Sequence, residues 1–331
     1  MRCAIAVVFV GLAPVVARAD ATVDVTLNSD GAQLASQLGV SVQDLEQIAQ
    51  DRIDELYKLQ RLDELLRAFA NTAAFTQRGL GVEYDVDPGD LMIGYAGTGV
   101  HGDVAIGTTN ELLGGSIINF EVMAGANLAR LEHPQWTVFA NGYYETVTIH
   151  GLEGHLLTLA SHVQYQIVPA RGSWIGLSAT TGLEYARLEL GTAGSIESHF
   201  TATGPAEHAT VHMSSTGTLS VLAQTFTVPI EVSTGVRLAD VISLYTAAGL
   251  DVTGGSSTIE ARLDSVLSIN ADNLPVGTAV ITGSGASSPS AVTVHALAGL
   301  ALHTKYVRVF VQGALAPGEL AVALGVRFAA R

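Results

Sequence analysis

The side chains that chemistry needs are present in this sequence, but they are scattered. Ser161 and His162 are adjacent in a stretch that alternates apolar and polar residues. Neighbours on a strand point to opposite faces, so these two do not form a nucleophile–base pair. His150 and His155 flank the turn 151–154, and His199, His208 and His212 fall within 191–217. Their spacings fit no metal motif, and they read as solvated loop histidines. Gly254-Gly255 has no phosphate-loop pattern around it and reads as a strand-end turn. No catalytic, metal or cofactor constellation emerges, so the chain reads as a non-enzyme without a cofactor.

A second set of residues is charged. Glu121, Glu145, Glu184, Glu231 and Asp251, with Arg187, Arg237, Arg308 and Arg327, all sit in stretches of period two and are assigned to their small-or-polar face. If that face lines a small barrel, opposite charges pair and fill the interior. Eight strands already leave a lumen that side chains fill. Glu184 and Glu231 are expected to pair with Arg187 and Arg237 across it.

The elements that carry these residues are strands. Leu157, Leu159, Ser161, Val163, Tyr165 and Ile167 alternate with Thr158, Ala160, His162, Gln164 and Gln166. The pattern recurs at 173–190, at 226–233, at 292–303, where His295 and His303 fall on the polar face, and at 320–328. Ten strands are expected, at about 91–106, 115–131, 136–150, 155–168, 173–190, 218–237, 241–262, 291–304, 305–313 and 319–328. An added hairpin from 266–269 and 278–282 would make twelve. Alternate connections are tight (132–135, 169–172, 238–240, 304–305), whereas 191–217 and 263–290 are long. Transmembrane barrels sort short turns and long external loops in this way. Leu159, Leu177, Val228, Leu300 and Val322 are expected to face lipid, with Trp136, Tyr165, Trp174, Tyr185 and Phe328 in aromatic girdles.

Ahead of the strands lie three segments. Residues 1–19 have the layout of a signal peptide: Arg2, an apolar run from Ala4 to Val16, then Ala17-Arg18-Ala19. Residues 20–40 read as an extended polar segment, with a short strand over 22–27. Residues 41–80 read as an amphipathic helix outside the membrane. It begins at Ser41 with Asp44 three residues on, continues with Leu45, Ile48, Ile53, Leu56, Leu59, Leu62, Leu65, Leu66 and Phe69 along one face, and ends at Gly79 and Gly81. Such a face packs on the barrel, enters its lumen as a plug, or takes a periplasmic partner.

Composition agrees with a membrane barrel. Only 14% of residues are charged, yet no stretch beyond the first twenty residues reads as a transmembrane helix. The single cysteine, Cys3, lies in the leader, so no disulfide is expected beyond it. With 16 basic against 31 acidic residues, nucleic acid is excluded as a partner, and cations are favoured near the surface.

Over residues 90–331 the chain resembles the outer-membrane β-barrel proteins of Gram-negative bacteria, and the junction Gly79-Leu80-Gly81-Val82-Glu83-Tyr84 is similar to uncharacterised barrel families with a preceding helix. The resemblance implies an all-β, antiparallel up-and-down transmembrane barrel in the outer membrane, surrounded by its lipid and inserted by the barrel-assembly machinery. The strand Leu320–Phe328 matches the terminal assembly signal of such proteins, although Ala329-Ala330-Arg331 follow it. The function expected is a narrow channel or a surface scaffold. A lipid-acting barrel enzyme or an adhesin using 191–217 and 263–290 is one alternative. A secreted soluble β-sandwich, with Leu324, Val326 and Phe328 inward, is the other.

Overall fold

The computed structural model describes residues 18–38, 41–43, 46–47, 50, 62–76, 86–102, 105–106, 111–112, 115–149, 152–203, 208–269 and 274–330. Within them lie strand β1 (Arg18–Leu27), helices α1 (Ser29–Leu38) and α2 (Leu62–Phe75), and strands β2 (Leu91–Gly102), β3 (Ala105–Ile106), β4 (Glu111–Leu112), β5 (Gly115–Asn127), β6 (Trp136–Ile149) and β7 (Leu152–Val168). They continue as β8 (Trp174–Thr203), β9 (His208–Leu238), β10 (Ile242–Ile269), β11 (Leu274–Ser287), β12 (Val292–His303), β13 (Val307–Ala316) and β14 (Glu319–Ala330).

The strands close into a ring. Consecutive antiparallel pairs run β2-β5-β6-β7-β8-β9-β10, then β12, β13 and β14, and β14 returns to β2. Of the 12 strands in the sheet, β1 and β11 stand outside this ring, so the barrel itself has the expected ten. Closure removes every sheet edge within the barrel. The connections at 128–135, 169–173, 239–241 and 304–306 sit at one rim (the near rim), together with the start of β2 and the end of β14.

The outer face shows why the ring suits a membrane. On β9, Phe226, Val228, Ile230, Val232 and Val236 are exposed, while the alternate residues Thr225, Thr227, Glu231 and Ser233 are buried inside. Leu159 and Val322 are exposed on the same outer face, and Leu177 and Leu300 are half-buried there. Leu324 is 63% exposed, which places it outside and excludes the soluble-sandwich arrangement. Aromatic pairs bound the apolar belt. Trp136 and Tyr165 stand 4.7 Å apart toward the near rim, and Tyr185 and Phe226 stand 4.9 Å apart toward the far rim. Beyond Tyr185, β8 turns to Arg187 and Glu189; beyond Phe226, β9 turns to Ser220, Thr218 and Thr216. The belt thus spans roughly the 9–11 residues a tilted strand needs to cross a bilayer.

The described residues of the segments 191–217 and 263–290 are mostly strand. β8 and β9 stay paired from Gly191↔Ser220 to Thr203↔His208, so His199 and His212 are cross-strand neighbours. β10 pairs with β12 up to Val252↔Val292 and then with β11 from Ser257↔Ser287. Gly255, at φ +144, lies where β10 changes partner, a backbone conformation that L side chains rarely adopt. The hairpin expected from 266–282 therefore exists, but it extends the far side and does not enter the ring. These extensions escaped sequence reading because Thr192, Ala193, Gly194 and Ser195 are exposed whichever face they occupy, which erases the alternation.

The segment 20–40 is more ordered than expected. β1 adds to β11 in register from Arg18↔Ala286 to Leu27↔Gly277, completing a platform in the order β8-β9-β10-β11-β1 beyond the belt. Asn28 then caps α1: its Oδ1 accepts the Gly31 N–H at 2.8 Å, and its own amide donates to Pro275 O at 2.7 Å. Of the helix expected over 41–80, residues 62–75 are α2, and residues 42–43, 46–47 and 50 are helical. The rest of that range, and residues 1–17 of the expected signal peptide, lie outside the described residues.

Candidate functional site in the lumen

The helix expected outside the membrane lies inside the barrel. Among α2 residues, Leu66, Ala70, Ala73 and Phe75 are at most 4% exposed. Leu66, Ala70 and Ala73 belong to one buried cluster with Tyr143, Leu156, Leu188 and Val221, inward residues of β6 to β9. Phe75 belongs to a second cluster with Val100, Leu297, Ala314 and Ala321, on β2 and β12 to β14. The apolar stripe is thus consumed by the barrel wall, which surrounds α2. Small residues allow this, since a helix with its side chains is about 10–12 Å across. Polar ties hold its far-rim side: Asn71 Nδ2 donates to Ser290 Oγ at 3.2 Å, Ser290 N–H donates to Asn71 Oδ1 at 2.9 Å, and Thr72 Oγ1 donates to Glu319 at 3.2 Å.

Below α2 the wall turns polar. Thr158 on β7 and Thr225 on β9 both neighbour Ala186 on β8, and Thr227 meets Thr253 at 3.1 Å. Next comes a belt of buried carboxylates. His295 on β12 places Nδ1 2.9 Å from Asp251 Oδ2 on β10 and Nε2 3.1 Å from Glu231 Oε2 on β9. Its ring reaches across β10 because residue 249 is glycine. A Cβ there would stand 3.0 Å from both the Glu231 Cα and the His295 Cε1. Further round the wall, His162 Nε2 lies 3.0 Å from Glu184 Oε1, and the Asn141 amide donates to Glu121. Toward the near rim follows an aromatic layer, in which Tyr245 donates to Gln312 Oε1 at 3.1 Å and covers Gly299.

The near rim carries the arginines. Arg308 contacts Asp87 at 2.8 Å and Asp90 at 3.3 Å, and Arg237 reaches Asp87 at 3.1 Å. Arg327 and Arg308 are buried cross-strand neighbours. This ionic latch fastens the segment leading into β2.

The expected site residues are therefore only partly brought together. Glu121, Glu184, Glu231, Asp251, Arg308 and Arg327 are buried in the lumen, and Arg237 and Glu145 face it in part. Arg187 does not. It lies three residues from Glu184 on an unbroken strand, so it points outward, where it pairs with Glu189 at 2.9 Å. Where Glu184 and Glu231 were expected to meet Arg187 and Arg237, His162 and His295 stand against them, and Arg237 reaches Asp87 at the near rim. Sequence reading placed His162 and His295 on the polar face, which was the available signal. It missed Asp87 and Asp90, which precede the first strand and carry no periodic mark.

The pattern of the Lsa36-like family matches residues 17–330, and the chain belongs to that family. No curated protein matches the sequence. Among solved structures the chain is similar to the KdgM porin, with a TM-score of 0.32, 6% identity, and coverage of 72% of this chain and 99% of that one. It is also similar to the outer membrane protease OmpT from Escherichia coli (TM-score 0.38, 8% identity, 75% and 99% covered). A third is Ail, the attachment invasion locus protein of Yersinia pestis (0.24, 10%, 74% and 100%). Those identities bear on none of the residues of the lumen.

Proposed function

We propose that this Lsa36-like chain is an outer-membrane scaffold with a closed lumen, which presents the platform β8-β9-β10-β11-β1 on the far, external side. One observation carries the reading: α2 occupies the barrel interior, with Leu66, Ala70, Ala73 and Phe75 packed on the wall. A ten-stranded barrel leaves little room beyond its own side chains, and a helix uses it. The apolar belt supports a bilayer as the surroundings, and the long strand extensions support their side as the external one. The platform's outer face is hydroxyl-rich and charged, with Thr22 and Thr282 joined at 2.7 Å and Thr218, Ser220, Glu260, Arg262 and Ser284 around them. Such a surface suits contact with water and hydrated partners rather than lipid. Export by a cleaved leader and insertion by the barrel-assembly machinery belong to the same reading.

The full chain reconstituted in planar bilayers is expected to be silent. In intact cells, a cysteine at Thr218 is expected to react with a membrane-impermeant maleimide, and one at Lys305 is not. Steady large conductance, or the reverse labelling, overturns the reading.

A further inference from the structure

We infer that the lumen is the route by which this chain carries its own N-terminal segment outward, so that the barrel displays on the far side an unfolded segment joined ahead of β1. The inference rests on the reading of the platform side as external.

The path of the chain gives the first support. β2 begins at the near rim, where Leu91 pairs with Ala330 and Ala126, and Asp87 and Asp90 just before it are tied to Arg237 and Arg308. β1 lies at the other end, beyond the belt. It runs away from the barrel, from Arg18↔Ala286 to Leu27↔Gly277, and α1 follows at the outer end of the platform, where Asn28 donates to Pro275 O. Between β1 and β2 in sequence stands α2, with wall on both sides: Leu66, Ala70 and Ala73 against β6 to β9, and Phe75 against β2 and β12 to β14. One covalent chain thus occupies the far side, the lumen and the near rim in turn. The ring around α2 is closed by ten antiparallel pairings. Outside it lies hydrocarbon, where unpaired backbone and the carboxylates of Asp20, Asp24 and Asp30 would go unsatisfied. A segment that starts on the near side therefore reaches the platform through the ring.

The far side carries an acceptor for the arriving strand. β11 stands outside the ring and pairs with β10 along one edge, which leaves its other edge for β1. All ten residues of β1 pair there. Val25 is buried by this docking, and its N–H donates to Glu46 Oε1 at 3.3 Å, so the helical stretch around residue 46 is on the same side. An open strand edge takes up an extended segment through main-chain hydrogen bonds. Because this pairing forms only beyond the belt, it makes the passage one-way.

The bore sets what can pass. A helix with its side chains is about 10–12 Å across, and α2 fits only because alanine meets alanine: Ala70 and Ala73 share their buried cluster with Ala186 and Ala223 of the wall. An extended chain or a single slim helix has room. A folded domain, with a radius of gyration of about 13 Å for 100 residues, does not.

The test places two insertions between Ala19 and Asp20 of the full chain in intact cells. One is an epitope alone, and the other is the same epitope ahead of a small domain whose fold is locked by one disulfide. Antibody binding from outside is counted per folded barrel, measured by gel mobility without heating. We expect antibody to reach the epitope alone, the locked domain to lower that signal several-fold, and reductant present during synthesis to restore it. In the epitope-only chain, Thr218→Cys and a membrane-impermeant maleimide report the side of the platform independently. A locked domain displayed as well as its reduced form overturns passage through the lumen, and so does an epitope hidden on cells whose Thr218→Cys is labelled. A folded barrel whose Thr218→Cys stays unlabelled overturns the external reading of the platform itself.

Discussion

The imidazole of His295 and the carboxylate of Asp251 meet at 2.9 Å on adjacent strands, both buried, with Glu231 on the far side of the same ring. Three strands are thereby stitched at one level of the lumen, at the point where Gly249 leaves the ring room to cross. A polar triad in this position costs desolvation and yields a defined register, so its value lies in completeness.

Removing one member should therefore be expensive. His295→Leu leaves two buried carboxylates facing each other without the shared donor, and breaking a buried ionic group in this way costs about 3–5 kcal/mol. The expected result is a clear drop in the urea midpoint of the detergent-folded barrel. Adding Glu231→Gln and Asp251→Asn should recover part of the loss, because the uncompensated charge is then gone. No drop in the single variant means that the triad is not formed.

The outward belt predicts a sharp positional contrast. Leu324→Arg, at a residue 63% exposed in the apolar belt, should cost about 2–4 kcal/mol if it lies near the bilayer midplane and should lower the yield of folded barrel in lipid vesicles. Thr218→Arg, on the platform, should leave that yield unchanged. Equal effects at the two positions would place the belt elsewhere.

Much of this was legible in the sequence. Ten strands, the outward face and the buried carboxylates all follow from period two, because one face meets lipid and the other the lumen. The helix was legible as an element, since Leu66 and Phe69 lie on one stripe. Its destination was not: an apolar stripe specifies that something apolar covers it, and either a wall or a partner satisfies that demand. Arg187 was misplaced by grouping it with Glu184 across an odd spacing. The platform strands were missed because Thr, Ala, Gly and Ser occupy both faces of stretches such as 192–195, which erases the alternation.

On the platform, acidity has a defined direction. The Arg262 guanidinium hydrogen-bonds Asp264 at 2.8 Å and holds its carboxyl below the ordinary carboxylate value. A carboxyl lowered in the folded state adds stability above its unfolded pKa of roughly 3.9, and that stability is lost as pH falls through the folded value. Carbon NMR of Asp264 should therefore show titration below that of a free aspartate, and Arg262→Gln should raise it to the ordinary range. Both side chains are open to solvent, so high salt should weaken the shift. An unshifted Asp264 at low salt would remove the pair.

The central claim is that α2 sits within the barrel, and the reactivity of a single cysteine at position 73 tests it most directly. With Cys3 replaced by serine and Ala73→Cys introduced, the protein folded in lipid vesicles is treated with a membrane-impermeant maleimide, beside a Thr218→Cys control. Ala73 is fully buried against the wall, so no labelling is expected until the chain is denatured, while the platform position labels at once. Labelling of position 73 in the folded barrel at the rate of position 218 would contradict the account.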